Sequence, residues 1–523
     1  MKNQPALRAH GKNLRKVLVA NRGEIAIRVF QCCRENGIAT VAVYSEADAH
    51  APHRYAADES VLIGGPAARD SYLRAEAVIE AARVSGADAV HPGYGFLSEN
   101  AGFARAVEAA GLTFIGPTPL NIEQMGDKSM ARRLMQAAGV PVVPGTEAPI
   151  GDEADLIAQA KRIGYPLLVK AVGGGGGKGI RRVANESELL AGFRRSSSEA
   201  NAAFGDARVY LERYIKPARH IEAQVFGDGR GGALFLGERE CSLQRNHQKL
   251  LEESPSPALT PELRKQLREA ALNGVRAIRY RGAGTLEFLF DDARREFCFL
   301  EMNTRLQVEH PVTEMVTRWD LVREQLRIAA GGTLDGVEEP DRHGHALEFR
   351  IYAEDPYRGF RPSTGRIEAL RLPHAPFTRI DHAIRDGYVV PPYYDPMLGK
   401  LIVWGADRPE AIERMKALLQ RVRIGGIHTT VPLGVEICAW PAFLAGRCTT
   451  DSLEEWLRER ATKQRAEPPL KVQLAGIVAR AALERAGSKA GAPRAAVAVD
   501  SSVESAWLRA ARLEGTGRND GSR

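Results

Sequence analysis

The densest chemistry in the sequence lies in Glu301-Met302-Asn303-Thr304-Arg305-Leu306-Gln307-Val308-Glu309-His310. Two carboxylates, two amides and a guanidinium fall on alternate positions: Glu301, Asn303, Arg305, Gln307 and Glu309. In extended backbone, alternate residues share a face. The spacing therefore predicts one polar line, with Met302, Leu306 and Val308 pointing the other way. An amphipathic strand with a solvated face has the same alternation, but the mixed charge signs and a neighbouring carboxylate favour a site. That neighbour is Glu287, in Thr285–Phe290, and Glu301 ends Glu296–Glu301. Asp291–Arg295 between them reads as a turn, so the two runs form a hairpin with a carboxylate on each strand. A buried carboxylate needs a cation or a proton. Strand-edge salt bridges would serve for either glutamate alone. For both, with Asn303 two residues on, Mg²⁺ is the better account, since it takes a few carboxylates plus nucleotide phosphates.

A second candidate is Gly173–Gly177 followed by Lys178-Gly179. Five consecutive glycines alone read as a linker. The flanking runs Leu167–Val172 and Ile180–Val183 instead make the loop the tip of a hairpin. A Walker loop or dinucleotide fingerprint would need a helix directly after it. A glycine loop between strands can lie over phosphates and offer backbone N–H groups, with Lys170 and Lys178 adding charge.

The elements that must position these residues change along the chain. The apolar run Val17–Ala20 reads as a strand, and Ile25, Val29, Phe30 and Cys33 then recur at helical spacing. Strand Thr40–Tyr44, helix Ala75–Ala82, strand Ala89-Val90, helix Ala101–Ala110 and strand Thr113–Ile115 continue a βαβ series. That predicts a doubly wound parallel sheet with ligands at the carboxyl ends of its strands. His91-Pro92-Gly93-Tyr94-Gly95-Phe96-Leu97 follows such a strand, though alone it reads as a plain turn. A helix at Ser129–Ala138 opens a region of short β runs, and Gly331–His345 reads as a linker. A β-rich region follows to about residue 435, with a helix at Pro409–Leu419; beyond 461 one helical stretch, Leu470–Arg485, and disorder are expected.

The 523 residues fit about three domains, and no apolar run has the length of a membrane helix. The six cysteines form no C-x-x-C pair, so they read as thiols of a reducing cytosol. Net charge is +7, but residues 1–16 carry +5 and 461–523 another +5, leaving −3 for the body. A basic folded face, which nucleic-acid binding needs, is therefore not expected. The first 15 residues read as a disordered tail rather than a secretory signal, because they lack an apolar core.

From about Lys16 to about residue 450 the chain resembles the biotin carboxylase subunit or domain of biotin-dependent carboxylases, in the ATP-grasp superfamily. The resemblance is carried, in order, by Ala20–Ala26, Val43-Tyr44-Ser45, His91–Leu97, Met125-Gly126-Asp127-Lys128 and the glycine loop. It continues through His247-Gln248-Lys249, Tyr280–Thr285, Glu301–Pro311 and Pro392-Tyr393-Tyr394-Asp395. It implies an α/β chain with a Rossmann-like N-terminal domain at 16–127, an ATP-grasp domain at 128–330 and a β-rich C-terminal domain at 345–455. Within the second, a mobile lid over about 140–210 is implied, and 461–523 is read as a partly helical or disordered tail.

The resemblance also assigns roles. Lys128, Lys170, Gly176, Gly177, Glu212, Arg213, Tyr214, Ile215, His220 and His247 match ATP-binding positions. Glu287, Glu301 and Asn303 match Mg²⁺ or Mn²⁺ ligands. Lys249, Arg305, Gln307 and Val308 match bicarbonate positions, Glu309 the general base and Arg350 a biotin contact, with Tyr94 near the same pocket. The implied course is proton removal from bicarbonate, attack on the γ-phosphate of ATP, breakdown of carboxyphosphate, and carboxylation of biotin. Arg213, Lys178 and Asn246 depart from the commonest residues at their positions, which bears on nucleotide contacts. No Ala-Met-Lys-Met-like attachment motif is present, so biotin is expected on a carrier protein or domain of another chain, with a separate carboxyltransferase subunit. Tyr394–Met397 and Lys400–Gly405 look more like the α chains of methylcrotonyl-, propionyl- or geranyl-CoA carboxylases, and the resemblance as a whole spans the acetyl-CoA carboxylase type as well. A cytoplasmic homodimer is expected, bound to neither membrane nor nucleic acid. A carboxylate–amine ligase of the same superfamily, and a non-catalytic ATP-binding assembly subunit, stay open as alternatives.

Overall fold

The structure is a computed structural model that describes residues 14–146, 148–171, 180–204, 207–246 and 248–466. The chain divides into two units, Met1–Trp456 and Leu457–Arg523, and the sheets described lie in the first. The helix expected at Leu470–Arg485 and the glycines at 173–177 lie outside the described residues.

Five parallel strands open the chain: β1 (Lys16–Val19), β2 (Ala39–Tyr44), β3 (Glu59–Leu62), β4 (Ala89–His91) and β5 (Thr113–Phe114). Their order is β3-β2-β1-β4-β5, the doubly wound arrangement that the βαβ pattern predicts, with β3 added between the expected strands. The order reverses between β1 and β4, and the loops after those strands meet there. Asn21 Nδ2 donates to the carbonyls of Pro92 (2.8 Å) and Tyr94 (2.7 Å). At Gly93, φ is +64° and a Cβ would lie 2.9 Å from Asn21 Nδ2, so the plain-turn reading of this loop gives way to a built crossing.

A small antiparallel sheet follows, ordered β7-β6-β8, from β6 (Leu167–Ala171), β7 (Ile180–Val183) and β8 (Val209–Arg213). It packs with the helices Glu153–Ile163 and Glu186–Phe204 on a core of its own that includes Leu156, Val169 and Leu211.

The platform of the molecule is an eight-stranded antiparallel sheet. Its strands are β9 (Arg219–Asp228), β10 (Ala233–Arg245), β11 (Gln248–Ser254), β12 (Arg281–Asp291), β13 (Glu296–Asn303), β14 (His345–Tyr352), β15 (Thr378–His382) and β16 (Met397–Gly405). Their order is β13-β12-β9-β10-β11-β14-β16-β15. The two-residue period of β9 and β12 sorts their side chains. Ile221, Ala223, Val225, Leu286, Phe288 and Phe290 join the core with Leu267 and Leu272 of the helix Pro261–Ala277. His220, Glu222, Gln224, Thr285 and Glu287 take the alternate positions.

Strand β13 has a phase problem, because Phe297, Phe299, Glu301 and Asn303 are all odd-numbered. A bulge solves it. Phe288 pairs with Phe299 while Glu287 pairs with Glu301, so Leu300 is the extra residue and stands 40% exposed. The aromatic rings therefore stay in the core and the acids take the other face.

Phe288 is fully buried and meets Phe297 and Phe299 edge-on at 6.1 and 6.0 Å. Phe288→Ala is expected to cost about 3–5 kcal/mol, read as a lower denaturant midpoint in unfolding followed by tryptophan fluorescence and circular dichroism.

Candidate active site

Four charged residues form one cross-strand row. Arg239 on β10 pairs with Glu222 on β9, Glu222 with Glu287 on β12, and Glu287 with Glu301 on β13. Directly opposed residues on one sheet face bring their side chains together, so three acids stand beside one base. Arg239 is fully buried and satisfied: it donates to Glu222 (2.9 Å), Gln224 (2.5 Å), Thr313 (3.1 Å) and Thr285 (3.0 Å).

Lys249 reaches this row from β11. Its ammonium bonds Glu222, Glu287 at 3.1 Å and Glu309 at 2.8 Å. Glu309 is fully buried, and its other oxygen accepts from Arg350 Nη2 at 2.9 Å. Burial and the Glu222 charge raise the proton affinity of Glu309, but Lys249, Arg350 and Arg239 outweigh them and hold it below the ordinary carboxylate range. The same logic holds Glu222 and Glu287 well down against burial, through Lys249 with Arg239 and with His220 respectively. Burial opposes charge on His220, yet Glu287 and Glu222 bring it up to about 9.

The expected extended face from 301 to 309 is not what assembles the site. Strand β13 ends at Asn303, and Pro311 sits in the first turn of the helix His310–Thr317. Proline favours a helix start, so the chain turns at Val308 and Glu309 instead of continuing. Arg305 closes the gap by folding back, donating to Asn303 Oδ1 at 2.8 Å and to Gln307 Oε1 at 2.9 Å. Asn303 and Gln307 in turn donate to Glu287 at 2.7 and 3.2 Å. Leu306 does face away, into the core with Ile25 and Trp319.

Lys249, His220, Glu287, Asn303, Arg305, Gln307, Glu309 and Arg350 thus form one connected network. The others lie apart from it. Lys128 is exposed and 3.5 Å from Glu301. Lys170 pairs with Glu212 on the small sheet, and Arg132 approaches the same carboxylate at 3.5 Å. Arg213 bonds Glu296 at 3.2 Å, Tyr214 lies under Arg182, and Ile215 is buried. Tyr94 donates to Glu24, which is 3.2 Å from Lys400, and Lys400 donates to the Val308 carbonyl at 2.8 Å. Gly176, Gly177 and His247 lie outside the described residues.

Sequence reasoning missed Glu222, Arg239, Glu24 and Lys400. The signal available was the alternation His220-Ile221-Glu222-Ala223-Gln224 in an otherwise apolar run. The donor set of Glu287, Glu301 and Asn303 is all oxygen, two carboxylates directly opposed across the ladder, and that suits Mg²⁺ or Mn²⁺. Among the described residues no helix is long and apolar enough to cross a membrane.

Together, a parallel-sheet domain, a small sheet with its own core and an acidic platform define an ATP-grasp ligase. Family models for the biotin carboxylase N-terminal domain (residues 13–122), the carbamoyl-phosphate synthase L chain ATP-binding domain (127–337) and the biotin carboxylase C-terminal domain (348–455) match the chain. It is 51% identical over 84% of its length to a biotin carboxylase of Nostoc sp., covering 98% of that protein. It is 49% identical over 85% of its length to a biotin carboxylase of Pseudomonas aeruginosa, covering 99% of it. The biotin carboxylase domain dimer of Hydrogenobacter thermophilus 2-oxoglutarate carboxylase, solved with MgADP, ADP and bicarbonate, superposes with a TM-score of 0.77 at 47% identity over 84% of this chain and 97% of that one. The chain belongs to the biotin carboxylase family, and it is an ATP-dependent ligase.

Removing one member of a buried charge cluster leaves its partner uncompensated, at about 3–5 kcal/mol. Arg239→Met is expected to destabilise by that amount. Adding Glu222→Gln should recover part of the loss, and a double-mutant cycle on unfolding free energies should show about 0.5–3 kcal/mol of coupling.

Proposed function

We propose that Glu309 is the base of an ATP- and bicarbonate-dependent carboxylation of biotin, and that Lys249, Arg305, Gln307 and Val308 form the bicarbonate site around it. One observation carries this reading: a buried carboxylate stands between an ammonium at 2.8 Å and a guanidinium at 2.9 Å. Held so, Glu309 is ionised but a weak base. A bicarbonate anion that draws Lys249 and Arg305 to itself withdraws positive charge from Glu309, so its proton affinity rises when there is a proton to accept. Deprotonated bicarbonate then attacks the γ-phosphate of ATP, its oxygen forming the new P–O bond as ADP leaves. Carboxyphosphate breaks down to CO₂ and phosphate, phosphate takes the N1 proton of biotin, and N1 then forms the new N–C bond to CO₂. Arg350 would meet the enolate oxygen that develops, an effect of about 3–4 kcal/mol per donor in known oxyanion sites.

Glu287, Glu301 and Asn303 would hold Mg²⁺ or Mn²⁺, which would neutralise charge on the transferring phosphoryl group. Lys128, Lys170, Gly176, Gly177, the segment Glu212–Ile215, His220 and His247 would hold ATP, and Tyr94 would border the biotin pocket. The domain limits proposed are 16–127, 128–330 and 345–455. The small sheet between about 140 and 210, with its separate core, would be the lid that closes over nucleotide. Similar structures include the biotin carboxylase subunit of pyruvate carboxylase and the biotin carboxylase domain dimer of 2-oxoglutarate carboxylase. We infer a homodimer that works with a biotin carrier on another chain and with a separate carboxyltransferase subunit.

With a biotinylated carrier or free biotin, Glu309→Gln should lower bicarbonate-dependent ADP release by about 10²–10⁴-fold. Arg350→Ala should lower biotin-dependent turnover by about 10²–10³-fold. Near-normal rates in both variants would sink the assignment. A carboxylate–amine ligase would instead release ADP with an acid–amine pair and not with biotin. In a separate titration, Glu301→Gln should raise the Mg²⁺ concentration needed for half-maximal ADP release.

A further inference from the structure

Two buried acids that the mechanism does not use face each other across the platform. On the antiparallel pair β11–β14, Glu252 stands directly opposite Glu348. Both are fully buried. One oxygen of Glu252 accepts from Arg350 Nε at 2.5 Å. Its other oxygen, and both oxygens of Glu348, have no hydrogen-bond partner. Lys400, opposite Arg350 on β16, is engaged with the Val308 carbonyl at 2.8 Å and with Glu24 at 3.2 Å. Two facing carboxylates in a dry interior do not both ionise, and buried acceptors without a partner call for a donor. One proton on Glu348 supplies a donor to the free oxygen of Glu252 and occupies one oxygen of Glu348.

We propose that Glu252 and Glu348 share one proton, carried by Glu348 and donated to the free oxygen of Glu252, and that the pair is a positioning device for Arg350. Above about pH 7 Glu252 is an anion and holds Arg350 Nε. Arg350 Nη2 then points at Glu309, and Nη1 reaches the Tyr352 hydroxyl at 3.4 Å. The positioning half of this inference rests on the biotin role given to Arg350, whereas the shared proton does not.

The charges around the pair agree with it. Glu348 faces Lys400 from β16, Glu252 from β11, Arg350 on its own strand and Glu309 from the turn before the helix; burial first, with the Glu252 charge, raises it well above the ordinary range despite Lys400. Glu252 faces Arg350, Glu309 and Lys249, and burial brings it up to about 7 despite both cations. Below that pH a second proton goes onto Glu252, and its grip on Arg350 weakens. Biotin-dependent turnover should therefore fall as pH drops through about 7. Glu24 and Glu240 titrate in the same range, so the limb must be assigned by substitution.

The test has two arms on the full-length protein. In infrared difference spectra on the alkaline side of the Glu252 value of about 7, wild type minus Glu348→Gln should show one protonated-carboxyl C=O band lost; no lost band overturns the shared proton. If Glu348→Gln does not fold, Glu348→Met serves the same subtraction. In kinetics, Glu252→Gln should abolish the acid limb of biotin-dependent turnover, with the KM for ATP within about twofold of wild type. A limb that survives in Glu252→Gln overturns the positioning role even if the band is found. Arg350→Ala with intact biotin turnover would remove the Arg350 reading and leave the infrared result to stand or fall alone.

Discussion

Three carboxylates, Glu222, Glu287 and Glu309, converge on one ammonium, Lys249, on a sheet face closed to water. An isolated ion in such a place costs several kcal/mol, so every neighbour is obliged to answer it. Arg239 answers Glu222, Arg350 answers Glu309, and Arg305 ties Asn303 to Gln307 beside Glu287. The site is thus a charge-balanced object before any substrate enters. On the proposed mechanism, its chemistry would consist of exchanging those internal partners for substrate oxygens.

The balance is possible only because the sheet register is fixed. Arg239, Glu222, Glu287 and Glu301 lie in one row because each is the direct partner of the next. A one-residue slip would send the acids into the aromatic core and Phe288 to the face of the site. The apolar side chains packed on the helix Pro261–Ala277 therefore enforce the geometry of the charged row, and the bulge at Leu300 lets a single strand serve both core and candidate site.

The parallel-sheet domain enters the same network by a second route. Tyr94, placed by the Asn21 clamp at the β1–β4 crossing, bonds Glu24. Glu24 meets Lys400, and Lys400 holds the carbonyl of Val308, next to Glu309. The expected biotin-side tyrosine and the expected base are connected through two residues that lie far apart in sequence. On the far side of Arg350, Glu252 accepts from its Nε.

The amino-acid sequence by itself determined the βαβ opening, the hairpin carrying Glu287 and Glu301, the hairpin flanking the glycine loop and the family resemblance, because each rests on local period or on ordered motifs. It also marked the polar residues from 301 to 309. The tertiary structure alone decided how they meet. Strand β13 ends at Asn303, a helix with Pro311 in its first turn follows from His310, and Arg305 folds back to do what a straight strand would have done. Glu222, Arg239, Glu252, Glu348 and Lys400 were invisible as site residues because single buried charges in apolar strands gain meaning only from the strand opposite them. Pairing across a sheet is a long-range choice, made by core packing and charge compensation, and no local pattern encodes the partner.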